Sequence, residues 1–157
     1  VRDNIEYRWD GLCPLLPNDP SESILWVQEM WQFSNETLEL RKGDCEDMAI
    51  LLCSMILCYG GEKYKTECID IHGSGGSHLG VQLPVGDRLI ILDPAGNYYT
   101  SYIGGMVSKE ISVEIKNWLS YWKRSLGDNV RVVRVFANYM DKTFDSTSEY
   151  ISWMYSR

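Results

Sequence analysis

The longest apolar stretch of the chain covers residues 48–57 and is hydrophobic on almost every side. Gly43 and Asp44 precede it, and a glycine allows a sharp entry while an aspartate caps the free N–H groups of a helix start. Two glycines at residues 60–61 end the stretch. The pattern predicts a helix that begins at Cys45 and is surrounded by other elements.

Three further segments carry helix signals. Residues 19–22 read Asp-Pro-Ser-Glu, a helix start with the proline as first helical residue, and an apolar face follows to Trp31. Residues 108–126 have helical apolar spacing, with Ser108 as the expected cap. Ser146 and Glu149 form a capping box before a last short helix.

Four apolar runs bounded by turn residues predict strands, at residues 66–71, 78–83, 88–93 and 130–136. Helices come first and strands follow, with one more helix between strands. This order is typical of an α+β domain, here with N-terminal helices and an antiparallel sheet packed on the Cys45 helix.

A chain of 157 residues is expected to form a single domain with its own core. We expect residues 1–19 to be an irregular N-terminal segment, residues 20–137 to be the core, and residues 138–157 to be a C-terminal extension.

Composition and charge exclude some classes of function. The formal net charge of −7 argues against a nucleic-acid partner, because phosphate binding needs a basic surface. No segment approaches the roughly 18 apolar residues of a membrane span. The chain starts at Val1 rather than at a methionine, which indicates a removed upstream segment. An upstream signal peptide or membrane anchor, and with it an extracytoplasmic or membrane-anchored location, therefore stays open.

The five cysteines are an odd number, so at least one is unpaired, and their spacing does not resemble a disulfide framework. Cys53 and Cys58 point in different directions on the predicted helix, so they do not suit one zinc ion together with Cys68 and His72. We expect no metal site and no cofactor.

Cys45 has the surroundings of a nucleophile. At a helix N-terminus the dipole and the unpaired N–H groups favour an anion, so a thiol there ionises more easily. Free cysteines are more often small buried hydrophobes, and Cys53 and Cys58 fit that interpretation inside the apolar run. Cys45 fits it poorly because charged residues flank it.

A base and its orienter are predicted from the hairpin at residues 78–93. A turn at residues 84–87 places His78 opposite Asp93, Gly80 opposite Ile91 and Gln82 opposite Leu89. Directly opposed residues share a face, with Cβ atoms roughly 4.5–5.5 Å apart. His78 then takes the thiol proton and Asp93 holds the imidazole tautomer. Each residue alone also fits an ordinary structural role, and the other histidine, His72, has no facing carboxylate.

These segments resemble the transglutaminase-like superfamily. The similarity lies in Gly-Asp-Cys-Glu-Asp-Met-Ala at residues 43–49, in His78 at a strand start and in Leu-Asp-Pro at residues 92–94. The resemblance implies a papain-like cysteine-protease fold with Cys45, His78 and Asp93 as the triad. It also implies a second oxyanion donor upstream of the cysteine, for which Trp31 and Gln32 are candidates. Core packing for Trp31 and a solvated position for Gln32 are the alternatives.

The leading hypothesis is a thiol hydrolase of peptide or other amide bonds, with a protein or peptide as substrate. A transamidase that passes the acyl group to an amine is the first alternative, and a non-catalytic scaffold is the second. No acidic loop resembles a calcium site, which argues against calcium-dependent cross-linking. In the loop at residues 94–105, Tyr98 and Tyr99 are candidate substrate-binding residues, although they also fit ordinary surface aromatic content.

Overall fold

The computed structural model describes residues 1–15, 17–19, 21–27, 30–103 and 105–157. The helices are α1 (Ser34–Leu40), α2 (Cys45–Gly60), α3 (Ile111–Leu126) and α4 (Thr147–Tyr155). The strands are β1 (Glu6–Tyr7), β2 (Cys13–Leu15), β3 (Leu25–Val27), β4 (Lys42–Gly43), β5 (Glu67–Gly73), β6 (Gly76–Val85), β7 (Arg88–Asp93), β8 (Tyr98–Tyr99), β9 (Ser101–Tyr102), β10 (Gly105–Met106), β11 (Lys109–Glu110), β12 (Arg131–Ala137) and β13 (Met140–Thr143).

One large sheet dominates the described part of the chain. Seven strands form it in the order β11-β7-β6-β5-β12-β13, with β8 paired to β7, and every pairing in it is antiparallel. Helix α2 covers one face, whereas α3 and α4 cover the other. The predicted α+β class, with the Cys45 helix packed on an antiparallel sheet, is confirmed.

Side chains alternate between the two faces of the sheet, and this alternation decides which of them reach the site. On β6, Leu79 and Val81 pack under α2 together with Ala49. Gln82 faces the other side, where its side-chain oxygen accepts a hydrogen bond from the Tyr150 hydroxyl (2.6 Å). His78 belongs to this second face, so α3 is the helix that reaches it.

The start of α2 follows the predicted capping chemistry. Asp44 is the N-cap residue, and its backbone N–H donates to the Asp47 carboxylate (3.4 Å). That carboxylate also accepts from the backbone N–H of Gln32 (2.8 Å). Because the first turn is tied to the segment before it, Cys45 is held at a defined point above the sheet.

The predicted helix across residues 19–31 is wrong in the described residues. Strand β3 stands there instead and pairs with β2, and Pro20, the expected first helical residue, lies outside the described residues. Asp19 accepts hydrogen bonds from the backbone and hydroxyl of Ser21, so it closes a local turn rather than a helix start. Strand β1 pairs in parallel with β4 and brings Tyr7 opposite Gly43, beside the cysteine.

The hairpin loop is two residues shorter than predicted, because Pro84 and Val85 belong to β6. Val85 faces Arg88, and Leu83 faces Ile90, so the loop is Gly86 and Asp87. Gly86 has a φ of 61°, a left-handed value that suits such a tight turn. The predicted opposition of Gln82 to Leu89 is therefore wrong, because Gln82 faces Ile91.

The register is shifted by two residues, which is an even number, so no side chain changes face. Continued by one pair beyond Val81 and Leu92, the observed register sets Gly80 opposite Asp93. The predicted oppositions of His78 to Asp93 and of Gly80 to Ile91 are therefore both wrong. His78 lies diagonal to Asp93 on the same face. Such diagonal neighbours remain within reach of long side chains.

Helix α4 covers part of the same sheet face as α3. Its N-cap Ser146 accepts from the backbone N–H of Glu149 (3.2 Å), as the capping box predicts. Tyr150 and Met154 are buried in the same cluster as Ile69 and Ile91. No helix in the described ranges is both long and apolar enough to cross a membrane.

Candidate active site

Cys45 is the first residue of α2 and is half-buried. Its thiol donates to the Glu46 carboxylate (3.1 Å) and accepts a hydrogen bond from the backbone N–H of Leu79 on β6. A donor and an acceptor therefore fix the sulfur between the helix start and the sheet.

Burial raises the pKa of the Cys45 thiol above its ordinary value, and the neighbouring Glu46 carboxylate raises it further. The Leu79 N–H acts in the opposite direction but does not outweigh them. This raised pKa runs against the prediction that the helix N-terminus makes the thiol ionise easily. Burial is the largest cause, and the carboxylates of Glu46 and Asp44 beside the thiol add to it.

His78 and Asp93 form a buried pair. The imidazole Nε2 lies 3.0 Å and 2.9 Å from the two carboxylate oxygens of Asp93, and the two residues are 4% and 2% exposed. A hydrogen on Nε2 satisfies the carboxylate and leaves Nδ1 as the nitrogen that can accept a proton. The predicted contact therefore exists despite the shifted register.

Asp93 has more donors than the sequence indicates. Its Oδ2 accepts from the indole N–H groups of Trp118 (3.0 Å) and Trp122 (2.8 Å) on α3, and its Oδ1 accepts from the backbone N–H of Gly96 (2.7 Å). All of these groups are donors, which suits a carboxylate because it only accepts. Asp93 is thus fixed by α3 and by its own loop.

Two cavities adjoin each other at Cys45 and His78. The smaller one is about 200 Å³ and is lined by Trp31, Glu46, Asp70 and His72 besides the shared residues. The larger one is about 570 Å³ and is bordered by aromatic residues and glycines, namely Tyr7, Trp9, Gly75, Gly76 and Trp122. Both cavities contain Cys45, Ser77 and His78. Cys45 and His78 therefore stand between two open spaces.

The other predicted site residues lie in different places. Trp31 borders the small cavity and stacks on Phe136 (ring centroids 5.5 Å apart). The side-chain amide of Gln32 donates to the Asp47 carboxylate (2.6 Å). Neither observation tests an oxyanion role, which stays a prediction.

Tyr98 and Tyr99 lie on β8, and neither borders the two cavities that contain Cys45. The Tyr98 hydroxyl donates to the buried Glu114 carboxylate (2.7 Å), whereas Tyr99 is half exposed. Their predicted contact with substrate stays a prediction, and the geometry offers Tyr7 and Trp9 as closer aromatic neighbours of the cysteine.

An acidic cluster adjoins the thiol. Among the described residues, Asp44, Cys45 and Glu46 place their ligand atoms within 4.8 Å of one another. Burial, and then contact with Glu46, raises the pKa of Asp44 to about 8. Its Oδ1 is buried without a hydrogen-bond partner. Two carboxylates with one unsatisfied oxygen are the kind of donor set that a hard cation takes.

The sequence patterns did not identify the two tryptophans that bind Asp93. They also did not identify Tyr7 and Trp9, which border the larger cavity. Trp118 and Trp122 stand four residues apart on α3, so their indoles share one face, and this spacing was visible as an apolar pattern. Nothing local indicates that both N–H groups point at one carboxylate. Buried indoles need an acceptor, which is the signal that was available.

The fold belongs to the class of transglutaminase-like domains with a papain-like cysteine-protease architecture. It is similar to Legionella pneumophila LapG in its calcium-bound form, with a TM-score of 0.52 and 14% identity, covering 93% of this chain and 67% of that chain. Residues 1–119 match the transglutaminase-like domain family. The chain belongs to that family, and the resemblance inferred from the cysteine motif is confirmed.

Proposed function

We propose that this protein is a thiol-dependent hydrolase of peptide or other amide bonds, in which Cys45, His78 and Asp93 form the catalytic triad. The observation that carries the proposal is the buried His78–Asp93 pair, whose His78 borders the cleft that also contains Cys45. Family membership and the protease-like fold support the same class of chemistry.

The raised pKa of Cys45 favours one order of proton transfer. The resting thiol keeps its proton, so His78 removes it through Nδ1 as the sulfur attacks the carbonyl carbon. Asp93 stabilises the resulting imidazolium through Nε2–H. The imidazolium then protonates the leaving amine, the C–N bond breaks, and a thioester remains on Cys45.

Water completes the reaction. His78 takes a proton from the water that attacks the thioester, the C–S bond breaks, and the thiol recovers the proton while the acid leaves. The negative oxygen of each tetrahedral intermediate is stabilised by the Cys45 backbone N–H at the start of α2. The Trp31 indole is our candidate for the second donor, because it borders the small cavity.

Transfer to an amine is the second candidate function. The small cavity carries the carboxylates of Glu46 and Asp70 next to Cys45, and acidic groups attract a protonated amine to the position where water otherwise attacks. A lysine side chain or a free polyamine that has lost its ammonium proton to solvent would then attack the thioester. His78 takes the remaining proton from the attacking nitrogen, the C–S bond breaks, and the sulfur recovers that proton. A scaffold without activity is the remaining alternative.

Trapping of the acyl-enzyme tests the proposal directly. We expect p-nitrophenyl acetate to acetylate Cys45 selectively and to be turned over, as followed by p-nitrophenol release and by peptide mass spectrometry. Cys58, which is exposed on the same helix, serves as the internal control. Equal labelling of Cys45 and Cys58, or no turnover, contradicts the proposal and favours the scaffold.

The same assay separates the two reactions. Added cadaverine should leave the product as acetate if the protein is a hydrolase. Formation of N-acetylcadaverine that requires Cys45 would identify the protein as a transamidase instead. Non-enzymatic aminolysis is measured with the Cys45→Ala variant under the same conditions.

We also propose that Asp44 and Glu46 hold a divalent cation, with calcium as the first candidate because LapG is described as calcium-bound. The fit rests on the buried, unpartnered Oδ1 of Asp44 and on its closeness to Glu46. Calcium takes oxygen ligands, so the Cys45 thiol is not one of them. Since the pKa of Asp44 is about 8, the cation would displace the proton of that carboxyl group at neutral pH and would balance the charge of both carboxylates beside the nucleophile.

Calcium should therefore stabilise the fold. We expect millimolar CaCl2 to raise the unfolding temperature by roughly 5 °C, since a ligand that binds only the folded state stabilises it. Asp44→Asn should remove this rise, whereas Asp141→Asn, an exposed carboxylate on β13, should keep it. An unfolding temperature that does not respond to calcium or magnesium contradicts the site.

A further inference from the structure

Trp122 is the residue through which α3 contacts both members of the histidine–aspartate pair. Its indole N–H donates to Oδ2 of Asp93 (2.8 Å). Its ring also stacks on the imidazole of His78, with centroids 3.6 Å apart and planes inclined by 29°. The Trp122 side chain therefore binds Asp93 through its ring N–H and stacks on His78 with its ring face.

Trp118 makes only one of these two contacts. It donates to the same oxygen of Asp93 (3.0 Å), but its ring lies 6.3 Å from the imidazole and is tilted by 59°. It fits against Gly80, where a Cβ would stand 2.7 Å from its Cζ2 atom. The two tryptophans thus provide an internal comparison, because both bind Asp93 and only Trp122 stacks on His78.

We infer that Trp122 is a positioning residue that sets the orientation of His78 relative to Cys45. This inference rests on the proposed function, because it concerns the same triad. The imidazole can rotate about its Cβ–Cγ bond, and a contact with Asp93 alone does not fix its plane. The stacked indole restricts that rotation and keeps Nδ1 directed to the cleft that Cys45 shares.

The stack also acts on the charged form of the base. When His78 carries the proton of the thiol, its imidazolium lies against the face of an indole, the aromatic ring that attracts cations most strongly. At the same time the indole covers one side of the imidazole from the larger cavity, which Trp122 borders. The contact between the indole face and the imidazolium favours the protonated intermediate over the resting state, so it should change kcat more than KM.

Four proteins test the inference with p-nitrophenyl acetate as the probe. Trp122→Phe keeps a ring over His78 but removes the N–H donor, whereas Trp122→Leu removes both. Trp118→Phe removes a donor to Asp93 without touching the stack. Trp26→Phe changes an exposed tryptophan on β3 (63% exposed) and is the control for tryptophan replacement itself.

We expect kcat to fall about tenfold in Trp122→Phe and about a hundredfold in Trp122→Leu, with KM changed less than threefold in both. Trp26→Phe should match the wild type. Equal kcat values for Trp122→Leu and Trp118→Phe, in folded proteins, overturn the inference, because the loss of a donor to Asp93 would then explain the whole effect.

Proton NMR gives a readout that does not depend on activity. The chain has two histidines, of which His72 is about half exposed (51%), so the ring signals of His78 are readily assigned by its absence in His78→Gln. The stacked indole should shift the His78 ring protons upfield. This shift should persist in Trp122→Phe and Trp118→Phe and disappear in Trp122→Leu.

The outcomes distinguish a failure of the proposed function from a failure of the positioning role of Trp122. A wild type without Cys45-dependent turnover overturns the proposed function, and the NMR shift then decides on its own whether Trp122 orients His78. Turnover that survives Trp122→Leu with unchanged His78 signals overturns the positioning role and leaves the proposed function standing.

Discussion

Replacement of Cys45 by alanine should reduce turnover of p-nitrophenyl acetate to the uncatalysed rate, a loss of roughly 10⁴-fold or more, because the nucleophile that forms the thioester is gone. The fold should survive. Cys45 is half-buried, and its thiol makes one hydrogen bond to Glu46 and accepts one from Leu79. We expect the unfolding free energy to change by about 1 kcal/mol or less.

Cys58→Ala is the matched control, since it removes a cysteine from the exposed side of the same helix. It should keep full activity. Circular dichroism and thermal unfolding check the fold of both variants. If Cys45→Ala fails to fold cooperatively, Cys45 is a structural residue and the scaffold interpretation gains support. If it folds and still turns over the ester, another nucleophile carries the reaction.

Replacement of Asp93 by asparagine should lower kcat by roughly 10³- to 10⁴-fold, the size of effect known for the equivalent change in serine-protease triads. The sequence predicts that this variant keeps its fold, because an amide has nearly the shape of a carboxylate. The structure predicts an additional loss of stability. Oδ2 accepts from two indoles and Oδ1 accepts from Gly96, so an NH2 group at either position meets a donor.

One buried donor left unpaired costs about 1–3 kcal/mol, and Asp93→Asn should lower the unfolding temperature by roughly 5–10 °C. Asp87→Asn, which alters an exposed carboxylate in the hairpin loop, is the control for loss of charge. An Asp93→Asn variant with unchanged turnover would show that Asp93 only shapes the turn before Pro94. An unchanged unfolding temperature would show that the indoles find other acceptors.

Local chemistry made the cysteine helix and the last helix predictable. Asp44 is the N-cap residue of α2, and the Ser146 side chain caps α4. Both signals lie within four residues of the helix that they start. The hairpin was predictable in its faces but not in its exact pairs. Gly86 allows a two-residue loop, and since a shift by two residues preserves the alternation of side chains, His78 still meets Asp93.

The amino-terminal part was not predictable in this way. Residues 19–22 have the composition of a helix start, yet β3 pairs with β2, so tertiary pairing outweighed a local capping signal. The donors to Asp93 were not predictable either, because Trp118 and Trp122 reach it from a helix that lies 25 and 29 residues further along the chain. The pKa of Cys45 depends on burial, which a sequence pattern does not give.

The placement of Trp122 has a consequence for how activity would be inherited among relatives. The family match ends at residue 119, three positions before the indole that contacts both His78 and Asp93. Cys45, His78 and Asp93 lie inside the matched residues, whereas Trp122 lies outside them. Two relatives with identical cysteine, histidine and aspartate motifs can therefore differ in rate because of one helix that a comparison of motifs leaves out.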